Sequence, residues 1–111
     1  MNRITIGEFE ELCLLAVGVL EGDAYGISVQ EEIKNRSGRN VTISTVHSTL
    51  VRLEQKGLLS SRMGGATELR GGRAKRFFEL TASGKLTIKE SRDLRNQMWS
   101  DIPSLQWEQP K

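Results

Sequence analysis

Along this chain the spacing of apolar residues changes from helical to strand-like at Lys56-Gly57. Before that point, Phe9, Leu12, Cys13, Ala16, Val17 and Leu20 recur at i, i+3 and i+4, which predicts a first helix over 6–20. Leu14, Leu15 and Val19 widen its stripe, so the helix is buried on more than one side, by the rest of the domain or by a second subunit. Gly22 and Asp23 end it. A second helix is predicted over 25–36, with Ile27, Val29 and Ile33 as apolar contacts and Gly38 as its C-terminal cap. The third begins near Thr42, a good N-cap, and ends near Lys56-Gly57, with Val46, Leu50 and Leu53 as its inner stripe.

Beyond Gly57 the pattern predicts strands over 58–63 and 74–80, joined by a loop bracketed by Gly64-Gly65 and Gly71-Gly72. Thr81 caps a fourth helix reaching about Met98, whose sparse apolar positions (Leu86, Ile88, Leu94, Met98) require a packing partner. The fold class is therefore mainly α with a small β-hairpin. The expected division is a winged helix-turn-helix over 1–81 and a C-terminal helix and tail over 82–111.

Charge divides along the same line. Residues 1–40 hold 4 Lys/Arg against 7 Asp/Glu, and residues 41–111 hold 12 against 7, so a polyanion is expected at the second half. At about 100° per residue, the side of the third helix opposite its stripe carries Ser44, Ser48, Val51, Arg52 and Gln55, flanked by Thr45 and His47, with Glu54 to the side near His47. Small polar side chains on a helix suit a major groove about 12 Å wide. The hairpin's Arg70, Arg73, Lys75 and Arg76 suit phosphates or the minor groove. Three helices and a basic hairpin in this order form a winged helix-turn-helix, and they point to double-stranded DNA as partner. Thr45, Ser48 and Arg52 are favoured as contacts, with Arg73 at the wing tip; Arg76 either joins them or points inward to brace the wing. Tyr25 either packs or extends its hydroxyl to a phosphate.

The chain resembles the PadR family of transcriptional regulators. The matching stretches are Gly7 to Leu12, Ala24-Tyr25-Gly26-Ile27, Thr45-Val46-His47 with Leu50, Arg52 to Leu59, and Gly71 to Thr81 with Gly84. His47 stands where the family usually has Tyr, and Phe77 and Phe78 where an aromatic pair, often tyrosines, is usual. The resemblance implies a homodimer of the short PadR-like subgroup on a near-palindromic operator, acting as a repressor. It places the dimer contact on the C-terminal helix (Leu86, Leu94, Met98, Trp99), with help from the first. It also implies release from DNA by a small ligand in some members. Trp99 and Trp107 either stack a planar aromatic effector at that interface or bury against the first helix or the partner subunit.

Other classes lose support. Cys13 is the only cysteine and His47 the only histidine, so no disulfide and no thiolate metal site is expected, and a reduced core thiol fits a cytoplasmic protein. No nucleophile–base pair or carboxylate pair suggests an enzyme, and no cofactor motif is present. The apolar run 12–20 is too short to span a bilayer. The competing reading is a winged-helix interaction module that does not bind DNA.

Overall fold

Local capping chemistry sets the helix ends in the computed structural model, which describes residues 5–64 and 74–103. The elements run α1 (Glu8–Leu20), α2 (Gly26–Ser37), α3 (Ile43–Gln55), β1 (Leu59–Gly64), β2 (Lys75–Leu80) and α4 (Ala82–Ser100). At the start of α1, the Glu10 carboxylate accepts the Gly7 backbone N–H at 2.8 Å. Gly38 closes α2 in the left-handed region, at φ 78°, where a residue with a Cβ is strained. Thr42 accepts the Thr45 N–H at 3.2 Å and Thr81 accepts the Gly84 N–H at 3.0 Å, each tying up one otherwise unpaired donor of α3 or α4.

The core gathers Cys13, Leu14, Ala16 and Val17 of α1, Val29 and Ile33 of α2, and Val46, Leu50 and Leu53 of α3, closed by Leu58, Leu59 and Phe78. Each such side chain of Leu or Phe size stabilises the fold by about 1.5–3 kcal/mol when taken from water. Cys13 is among them as a buried free thiol. Leu14 joins the core, while Leu15 and Val19 stay exposed. The wide apolar stripe of α1 thus faces the domain on one side and solvent on the other.

β1 and β2 pair antiparallel, with Leu59 opposite Leu80, Ser61 opposite Phe78 and Met63 opposite Arg76. The Phe78 N–H donates to the Ala24 carbonyl at 2.8 Å, which ties the α1–α2 connection to β2. That bond fixes the start of α2 beside the root of the hairpin. α4 departs from the hairpin where bare Gly84 passes the Leu58 carbonyl. It then runs along α1, where Glu11 accepts from the Ser91 hydroxyl (2.8 Å) and from Arg95 (3.2 Å). Leu86, Leu94, Met98 and Trp99 remain exposed on it.

Candidate nucleic-acid interface

Because α3 buries Val46, Thr49, Leu50 and Leu53, its other side is set by periodicity alone, and Ser44, Thr45, His47 and Ser48 all emerge exposed. Two of these hydroxyls are preset by the helix itself. Thr45 Oγ1 lies 2.9 Å from Thr42 Oγ1, and the Ser48 hydroxyl donates to the Thr45 carbonyl at 3.2 Å. The oxygen of Ser48 therefore keeps lone pairs for an outside donor.

Arg52 continues this side but is tethered. Its Nε donates to Glu10 Oε2 at 3.0 Å, while Lys56 Nζ lies 3.0 and 3.1 Å from the two oxygens of the same carboxylate. The Arg52 side chain is still 52% exposed. Burial raises the Glu10 carboxyl, but the Gly7 N–H, Lys56 and Arg52 together outweigh it and bring it below the ordinary 4.5. Glu10 thus fixes the C-terminal half of α3 against α1 and aims the Arg52 stem.

At the wing root, the two cations differ. Arg76 donates to the Ser61 hydroxyl at 3.2 Å, pairs with Glu54, and lies 5.3 Å from the Phe78 ring centroid. Ser61 in turn donates to Glu54 at 2.8 Å. The Ser61 bond outweighs the desolvation of the Glu54 carboxyl and, with Arg76 adding to it, holds that carboxyl below its ordinary value. Arg76 takes the bracing role and couples the wing to α3. Glu54 is accordingly turned to the wing. Lys75 is exposed, with Nζ 4.2 Å over the Tyr25 ring, and Tyr25 meets Phe77 edge-on at 5.5 Å. A cation is thereby carried on a stack of rings at the start of α2. Arg70, Arg73 and Trp107 lie outside the described residues.

One part of this surface is not legible in the sequence. Tyr25, Ile27, Ile43, Ser44, His47 and Lys75 line a shallow, mostly apolar depression. Ile27, expected as a packing contact of the second helix, is 51% exposed there, and Ile43 is 42% exposed. Ile43 stands three residues before Val46, a spacing that shares the phase of the buried stripe. It stands in the first turn of α3, where it lies against Gly26 at the start of α2. Glu10 was equally hidden, since its partners stand 42 and 46 residues away.

A model of the PadR-like transcriptional regulator family matches residues 14–90. The chain belongs to the PadR-like family. It is similar to an uncharacterized protein of Lysinibacillus sphaericus, with 31% identity over 74 residues, a match spanning 65% of each chain. Its fold is similar to that of a PadR-like transcriptional regulator from Bacillus cereus, with a TM-score of 0.69 and 16% identity over 91% of this chain and 93% of that one. It is also similar to part of the Aeropyrum pernix ORC1 protein in complex with DNA, with a TM-score of 0.62 and 20% identity over 83% of this chain and 26% of that one. At these identities the structures establish the fold, which is that of a PadR-like winged helix. Among the described residues of this PadR-like chain, no helix is long and apolar enough to cross a membrane. No group of three or more His, Cys, Asp and Glu residues is placed there to hold a metal ion.

Proposed function

We propose that this PadR-like protein binds double-stranded DNA as a homodimer and represses transcription at a near-palindromic operator. In this reading α3 enters the major groove and the wing lies on the adjacent backbone or minor groove. One observation carries it: Ser44, Thr45, His47 and Ser48 of α3 are exposed, Ser44 and His47 share a depression with Lys75 and Tyr25, and the carboxylates Glu10 and Glu54 are each held by cations. Among the described residues, the face offered to a duplex therefore presents hydroxyls and a cation beside an apolar patch, with Glu10 and Glu54 both paired. Ser44, Thr45, His47 and Ser48 meet bases and phosphates; Lys75, with Arg70 and Arg73 of the wing, meets phosphates. Tyr25 adds its hydroxyl at the backbone. Arg52 contributes from its tether, and Arg76 acts by holding the wing.

The domain over 1–81 then supplies DNA contact and the segment over 82–111 the dimer. Leu86, Leu94, Met98 and Trp99 of α4 are exposed, as are Leu15 and Val19 of α1, and in this reading a second subunit covers apolar residues of α4 with help from α1. A small aromatic effector at Trp99 and Trp107 belongs to the same reading, as does work in the reducing cytoplasm. No residue is assigned a catalytic role.

Selection of bound duplexes from a random pool tests this directly. The expected result is a near-palindromic motif with half-sites about one helical turn apart. Affinity for it falls with salt at a log–log slope of about −0.9 per phosphate neutralised. Failure to enrich any duplex leaves the protein-interaction module instead.

A further inference from the structure

We infer that the apolar depression between the first turns of α2 and α3 reads a thymine, by taking its C5-methyl group against Ile43 and Ile27. This rests on the DNA-binding reading and specifies one base contact within it. Large β-branched side chains left 42% and 51% exposed are out of place on a face of hydroxyls and cations. They are held there by packing: a Cβ on Gly26 would lie 3.3 Å from Ile43 Cδ1, so the bare glycine lets Ile43 lie across the start of α2. Ser44 and His47 flank the depression on α3, and Lys75 borders it from the wing. An occupant must therefore present an anionic rail to Lys75, hydrogen-bonding groups to Ser44 and His47, and an apolar group between them. Duplex DNA meets all three conditions. The one apolar group it displays at base edges in the major groove is the thymine methyl.

Uracil scanning of the selected duplex provides the test, because uracil lacks only that methyl and leaves the protein unaltered. Each thymine is replaced in turn and affinity is read by fluorescence anisotropy for the wild type, Ile43→Ala and Ile27→Ala. The expected result is at least one thymine whose replacement weakens wild-type binding about fourfold, the worth of one buried methyl-sized group. In Ile43→Ala the thymine-to-uracil ratio at that position falls toward one, and in Ile27→Ala it falls part-way. Uracil tolerated at every position overturns the inference while DNA binding stands. An unchanged ratio in both variants overturns it too. A protein that enriches no duplex loses the DNA-binding reading itself, and this inference with it.

Discussion

Among the described glycines, Gly84 is the one where an added side chain would meet the nearest atom. A Cβ there would fall 2.1 Å from the Leu58 carbonyl oxygen, a backbone atom that cannot swing aside. Gly84→Ala is expected to destabilise the fold by about 1–3 kcal/mol, read as a lower urea midpoint. Glu10 makes a second residue-scale prediction, now in pH. Its carboxyl titrates below 4.5 in the folded protein, so its contribution is fully present above that value and is lost as pH falls through the lowered one. Urea melts at about pH 7 and about pH 3.5 should show the wild type losing more stability than Glu10→Gln. Equal losses would mean that the Arg52–Glu10–Lys56 cluster adds nothing. Cys13 gives a third: burial pushes its thiol up to about 12, so an alkylating reagent should leave it untouched until denaturant opens the core.

For the elements, α4 carries the most exposed consequence of the account. A lone helix with so few inward apolar positions is stabilised by what it packs against. Here its first turn rests on Leu58 and Ser91 and Arg95 meet Glu11, while Leu94 and Met98 face outward. If the proposed dimer forms through α4, the wild type is expected to sediment as a dimer and Leu94→Glu as a folded monomer with an unchanged far-ultraviolet spectrum. A monomeric wild type would contradict the proposed dimer, and a dimeric variant would contradict its placement on α4. The elements themselves were legible in the sequence because their ends are local chemistry. Thr42, Gly38 and Thr81 cap the helices from positions read directly off the chain, and every predicted element has its counterpart. The exposed hydroxyls of α3 were legible too, since Val46, Leu50 and Leu53 point inward and leave Ser44 and Ser48 outward. Interactions between elements were not. Glu10 reaches Arg52 only after α1 and α3 have packed, and Ile43 lies exposed against the start of α2 although its spacing matches the buried stripe.

At the scale of the whole molecule, the ion clusters on either side of α3 act together. Glu10 fastens the C-terminal half of α3 to α1, and Glu54 fastens the hairpin to α3 through Arg76 and Ser61. The hydroxyl face and the wing root are thus tied to each other through α3. The central claim is that the protein reads base edges with α3 and grips the backbone with the wing root. The most direct measurement compares Ser48→Ala and Lys75→Ala with the wild type on the selected operator and on scrambled duplexes across a salt series. The account predicts that Lys75→Ala weakens all duplexes alike and flattens the log–log salt slope by about 1, whereas Ser48→Ala leaves the slope and changes which sequences are preferred. Two variants that behave alike, or that both bind as the wild type does, would contradict it.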